Sequence, residues 1–230
     1  MIRRVPIGIL SLALLAGLAW AVLSLPATPT GLTAESLVKL PESGVTNPVT
    51  AVLLNYRGYD TLLEVGVLLL AIVGVWSLRR GEWPAVDLRD RPLLMSLLRV
   101  LLPVLVLAAG YLLWIGAFAP GGAFQAGALL GGALVLVLLA GLARRVLQRD
   151  RLLRFGLALG VLVFAGVCAV TKLLTGGMLQ YPAGSGGKWI LLIESAALIS
   201  IGLTLGLLYL GGRPALKQED SSERSPHAHD

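Results

Sequence analysis

Residues 93–118 read LLMSLLRVLLPVLVLAAGYLLWIGAF and carry a single charge, at Arg99. A helix that crosses a bilayer takes about 20 consecutive apolar residues, so this run reads as a transmembrane helix. Comparable apolar runs cover residues 5–25, 62–78, 127–142, 152–171 and 189–210. The composition agrees. Only 14% of the chain is charged and 56% is hydrophobic, whereas soluble domains carry about 25% charge. The expected fold is therefore an all-α integral membrane protein with about six transmembrane helices.

The net charge of +6 comes from 19 Lys and Arg against 13 Asp and Glu. Those basic residues sit mainly between apolar runs, where they orient helices, and nucleic-acid binding explains them less well. Arg3, Arg4, Arg79, Arg80, Arg89, Arg91, Arg144, Arg145, Arg149, Arg151, Arg154, Arg213, Lys217 and Arg224 fall on one side. Lys39, Arg57, Lys172 and Lys188 fall on the other, and Arg99 lies inside the third run. The positive-inside bias predicts two cytoplasmic termini. Trp20, Trp114 and Trp189 at outer ends, with Trp76 and Tyr209 at inner ends, fit the interfacial preference of aromatic rings. Arg3 and Arg4, an apolar run and Ala19-Trp20-Ala21 also read as a cleavable secretory signal. An uncut first span keeps the even helix count that the charges require.

A polar run at 79–92, with Gly81, Pro84 and Pro92, reads as a cytoplasmic linker. It separates a two-span module, residues 1–90, from a four-span module, residues 91–212. Residues 213–230 are polar and aperiodic and read as a disordered cytoplasmic tail, with His227 and His229 solvated rather than ligating metal. Cys168 is the single cysteine, which excludes an internal disulfide and a multi-cysteine metal site. There is no Walker loop, no zinc-type spacing and no sizeable soluble domain, so no catalytic site, cofactor or metal is expected.

A charge at the bilayer centre costs about 2.5 to 3.5 kcal/mol on the insertion scale, so ionisable residues within spans need an explanation. Asp60, Glu64, Lys172 and Glu194 are the candidates for an ion or proton pathway. Asp60 and Glu64 share a helix face about 6 Å apart along the axis, with Arg57 just upstream. Two carboxylates one turn apart can pass protons or cations along. The same residues also fit a capping box, in which Thr61 caps a helix start, Glu64 bonds back to the backbone, and Arg57 neutralises Asp60. Glu194 should face protein or water, with Lys172 as its expected cation and Lys188 as the competitor.

Asn47-Pro48 signals a helix start, because Asn caps and Pro suits the first helical position. The segment 49–56 is too short to span, and Gly58 follows it, so it should form a short helix at the outer interface or against the bundle. Pro120, Gly121, Gly122, Ala123, Phe124, Gln125, Ala126 and Gly127 carry no charge and should make a tight turn, with Gln125 seeking partners inside a protein interface. Gly127 with Gly131, Gly156 with Gly160, and Gly202 with Gly206 have the spacing that lets helix backbones approach closely.

The run 45–64, VTNPVTAVLLNYRGYDTLLE, resembles the carboxy-terminal part of the large A subunit of Mrp-type cation/proton antiporters and the E subunit of membrane-bound hydrogenases (MbhE). From Leu98 onward, Arg99-Val100-Leu101-Leu102-Pro103, Pro120-Gly121-Gly122-Ala123-Phe124-Gln125-Ala126-Gly127 and Leu191-Leu192-Ile193-Glu194 are similar to the B subunit of those antiporters, MnhB. The chain thus looks like a fusion of the two, with both resemblances together covering all but the linker, the first outer loop and the tail. The resemblance implies a membrane subunit of a multisubunit complex that exchanges sodium or another monovalent cation for protons, or of a hydrogenase-like relative, in the cell membrane. Its partners would be the other membrane subunits. It also implies that Asp60, Glu64 and Glu194 match acidic positions on ion or proton routes, and that Arg57, Gly58, Tyr59, Thr61 and the 120–127 block are motif members. Asn55 stands where an acid is familiar, Ala123 and Ala126 replace glycines, and Gly186-Gly187-Lys188 occupies a stretch that often holds histidine. The competing expectations are a pure assembly scaffold with ion-paired acids, and a self-sufficient small transporter; no inverted repeat supports the latter.

Overall fold

The computed structural model describes residues 4–25, 31–78, 92–142 and 150–211, and the described residues form helices and connecting turns. The linker apart from Pro92, the tail with its two histidines, and Arg3, Arg144, Arg145 and Arg149 lie outside the described residues.

The chain divides into two units, 1–38 and 39–230. In the first, α1 (Arg4–Leu23) follows the first apolar run and α2 (Leu32–Val38) is a short helix. The second contains a 3-10 turn (Leu40–Ser43), the one-turn helix α3 (Pro48–Ala51), a π-helical turn (Val52–Tyr56), then α4 (Gly58–Leu78), α5 (Pro92–Ile115), α6 (Ala123–Leu139), α7 (Asp150–Thr175) and α8 (Gly186–Gly211). Helices α4, α5, α7 and α8 are long and apolar enough to cross a membrane. Two further apolar stretches, in α1 and α6, are shorter. The 17 residues of α6 make about 25 Å of helix, a little less than the hydrocarbon thickness.

Helix α8 is the hub: 61% of its apolar stretch is buried, against 11% for α5. It packs on α6 and α7, with α4 and α5 against its flanks. Three buried clusters follow one another along it, around Ile190 and Ile193, around Ala197 and Ile201, and around Leu207 and Leu210. All three expected glycine pairs lie in helix contacts. Cβ atoms on Gly127 and Gly131 would come within 2.8 and 2.9 Å of Ile201 and Leu205, and one on Gly202 would come within 3.0 Å of Leu130. Gly160 fits between Ser200, Val65 and Ala197. Small residues on both sides bring the backbones together and gain van der Waals contact where lipid supplies no hydrophobic drive.

At one end of this bundle the segment before α4 is tied to the α5–α6 connection. Asn47 caps α3 through Val49 N–H at 3.1 Å, as its place before Pro48 predicts. Its side-chain amide donates to the carbonyls of Gly116 and Ala119 at 3.0 and 2.8 Å, and the Thr50 hydroxyl donates to Gly116 at 2.6 Å. The π turn leaves carbonyls without their usual donors, and side chains supply them: Thr61 bonds the Leu53 carbonyl and Tyr181 the Leu54 carbonyl, each at 2.6 Å. At the opposite end of α4, the Arg154 guanidinium lies 5.8 Å from the centre of the Trp76 ring.

Candidate functional site

The break between the π turn and α4 depends on Gly58. A Cβ there would strike the side chain of Leu179, a buried residue held at φ 57°. Thr171 accepts the Leu179 N–H at 2.9 Å, and Asn55 donates to its carbonyl at 3.2 Å. These bonds hold the unusual backbone in place. The break starts α4 three residues before Thr61, so Thr61 lies within the first turn and its hydroxyl points back to Leu53. The capping box expected from Thr61 and Glu64 does not form, because the helix begins too early for Thr61 to cap it.

Asp60 pairs with Arg57, both side chains being well exposed. Glu64 is exposed on the same face of α4 and has no side-chain partner among the described residues. Tyr59, also exposed, reaches the sulfur of Met178.

Glu194 is 5% exposed, on α8. Neither Lys172 nor Lys188 meets it. The Lys172 ammonium turns away to the Gly176 carbonyl, 2.7 Å distant, and closes the end of its own helix. The expected Lys172–Glu194 pair is therefore corrected: the carboxylate accepts from the Ala123 backbone N–H at 3.3 Å, at the start of α6. The first amides of a helix have no partners of their own and carry the positive end of its dipole, so this place suits an anion. Gly122 makes it accessible. It has φ 108°, a conformation open to glycine, and a Cβ on it would lie 2.6 Å from the Glu194 carboxylate. Its N–H is held by the Leu112 carbonyl at 2.8 Å. The Pro120–Gly127 block is thus a tight turn, as its composition predicts, and also the floor of a site.

A cavity of about 300 Å³ lies over this floor, lined among others by Thr50, Thr61, Glu64, Gly122, Gln125 and Glu194. Beside it an open groove is lined by Asp60, Leu63, Glu64, Phe124, Ile201 and Leu205. Glu64 and Phe124 belong to both spaces. The structure therefore brings Glu64, Gln125 and Glu194 together, places Asp60 at the groove, and leaves Lys172 apart. Thr50 and the Ala123 N–H were not singled out from the sequence. Thr50 sits a helical step from the cap Asn47, which is its one sequence signal; a backbone N–H has none.

Two family models cover the described helices. The model for the E protein of MBH, MbhE, matches residues 2–93. A model described as a domain related to the MnhB subunit of Na+/H+ antiporter matches residues 93–211. No curated protein matches the chain. Among solved structures, a chain of the membrane-bound sulfane sulfur reductase (MBS), an archaeal respiratory membrane complex, is similar at 25% identity and a TM-score of 0.67, over 92% of this chain and 98% of that one. A chain of the Mrp complex from Dietzia sp. DQ12-45-1b shares the fold at 21% identity and a TM-score of 0.63, over 95% of this chain and 26% of that one. The order of the two matches is the fusion that the sequence motifs imply, and the chain belongs to the family of domains related to the MnhB subunit of Na+/H+ antiporters, carried behind an MbhE module.

Proposed function

We propose that this membrane subunit of an Mrp-type or hydrogenase-like complex lines the cation or proton pathway of that complex through the chamber between Glu64 and Glu194. The observation that carries the reading is the position of Glu64. It borders both the open groove and the polar cavity, and Glu194 lies buried at the far wall of that cavity with a helix N-terminus rather than a cation beside it. Carboxylates placed in sequence along a wet cavity inside apolar helices are kept where protons or cations pass. Asp60 lies at the groove mouth, and Arg57 draws its charge to one side.

In this reading the chain crosses the cell membrane six times with both termini in the cytoplasm. The shorter α1 and α6 would complete the count. Residues 1–90 form the two-span module and residues 91–212 the four-span module. Neighbouring membrane subunits complete the pathway, the passing species are protons with sodium or another monovalent cation, and the chain does no chemistry of its own. One observation favours a scaffold role for part of the site: the Arg57–Asp60 pair neutralises an acid that the pathway would otherwise use.

The test uses the intact complex in sealed vesicles with a pH-sensitive dye. Glu64→Gln and Glu194→Gln should each lower cation-dependent proton movement at least tenfold while native gels show the complex intact. Unchanged transport in both removes the chamber from the route. Loss of the complex in both supports the scaffold.

A further inference from the structure

We infer that one face of α5, running from Arg99 through Pro103 to Gly110, docks a transmembrane helix of a neighbouring subunit, and that this helix carries an aspartate or glutamate level with Arg99. The inference rests on the chain being a subunit of a larger assembly. It does not depend on the chamber.

Arg99 lies seven residues into α5, about 10 Å along the helix and so well within an apolar span. It is exposed, and it has no side-chain partner among the described residues. A cation of this kind faces protein or water rather than lipid, or reaches out to the headgroups. The side chain could reach the headgroups, but its own carbonyl cannot follow. Pro103, four residues on, has no N–H, so the Arg99 carbonyl lacks its usual donor in the helix. In hydrocarbon a backbone acceptor freed by proline is satisfied by a neighbouring helix, a hydroxyl or ordered water. Two polar groups of one residue thus ask for a partner at the same depth.

The shape of the face agrees. At 100° per residue, Arg99, Pro103 and Gly110 fall within about 40° of one another. The buried residues Leu98 and Ala109, which face the rest of the bundle, lie about 100° round the helix. Gly110 has nothing within 4 Å of where its Cβ would stand, so the stripe is open to close approach by another backbone. Charge complementarity selects the occupant: a guanidinium beside an open small-residue stripe fits a helix with a carboxylate.

The experiment replaces Val106, beside the stripe, with a photocrosslinking phenylalanine analogue in the full complex, and does the same at Leu162 on α7. Peptide mapping should find the position-106 adduct on one transmembrane helix of another subunit, containing an acid. Arg99→Glu should cut retention of that subunit at least fivefold, Arg99→Lys should retain it, and exchanging the partner's acid for arginine should restore it to Arg99→Glu. A lipid adduct, a second copy of this chain, or a helix without an acid at position 106 overturns the inference, while neighbours captured from position 162 leave the subunit reading standing. Protein adducts at neither position overturn both.

Discussion

The carboxylate of Glu194 and the backbone N–H of Ala123 face each other at 3.3 Å, across the start of α6, with Gly122 beneath them. An acid inside apolar helices here takes a helix N-terminus as its partner and leaves no lysine to hold it. Substitution of Gly122 tests how much depends on this approach. Gly122→Ala meets both a left-handed backbone angle and a Cβ only 2.6 Å from the carboxylate. The strain alone is worth about 1 to 3 kcal/mol. Thermal unfolding in mild detergent should show a loss of that size, and proton movement in vesicles should fall with it. A variant as stable and as active as the parent would show that Glu194 does not need this floor.

Asp60 and Glu64 sit one turn apart on α4 but should respond differently to neutralisation. Asp60 is tied to Arg57 on an exposed surface, and such pairs contribute about 0 to 1 kcal/mol. Asp60→Asn should therefore leave stability within about 1 kcal/mol of the parent. Glu64 has no such tie among the described residues and borders the cavity, so Glu64→Gln should leave folding intact and lower ion-coupled proton movement more than Asp60→Asn does. Equal transport losses in the two variants would place Asp60 on the route beside Glu64.

How much of this could be read from the sequence follows from which forces leave a trace there. The apolar runs located the long helices to within a few residues, because lipid demands unbroken hydrophobicity. The observed α4, Gly58–Leu78, and α8, Gly186–Gly211, extend the expected 62–78 and 189–210 only at their ends. Asn47-Pro48 predicted its cap because capping is local. The partner of Glu194 was not legible: charge pairing suggested Lys172, whereas the donor is a main-chain amide that any residue would offer. The π turn and the left-handed Leu179 were illegible for the same reason, since their bonds come from Thr61, Thr171, Asn55 and Tyr181, distant in sequence from some of the groups they satisfy.

Two adjacent glycines on α6 offer a sharp test of the packing. A Cβ on Gly131 would press against Leu205 at 2.9 Å, while one on Gly132 meets nothing within 4 Å. Alanine gains up to about 1 kcal/mol over glycine in a helix interior, and overpacking costs about 1 to 3 kcal/mol. Gly132→Ala should thus raise or leave unchanged the unfolding temperature in detergent, and Gly131→Ala should lower it. A reversed order would mean that α6 and α8 do not meet along this seam.

Tyr181 gives the structure a dependence on alkaline pH. Its hydroxyl donates to the Leu54 carbonyl at 2.6 Å in the turn before α8. Burial first, then the nearby Cys168 and Glu194, raise its pKa above the ordinary tyrosine value. The sign follows from proton counting. Above about pH 10 an unfolded tyrosine gives up its proton, whereas the folded one keeps it, so the unfolded state binds fewer protons and stability falls as pH rises. Below that range the group contributes no slope. Tyr181→Phe should remove part of the stability loss between pH 10 and 11, where ~10 is the ordinary tyrosine value, and should lower stability at neutral pH by about 1 to 3 kcal/mol, because the buried Leu54 carbonyl loses its hydroxyl donor. Denaturation followed in detergent at pH 7 and pH 11, for parent and variant side by side, separates the two effects. An unchanged alkaline slope in the variant would assign the pH dependence to other groups.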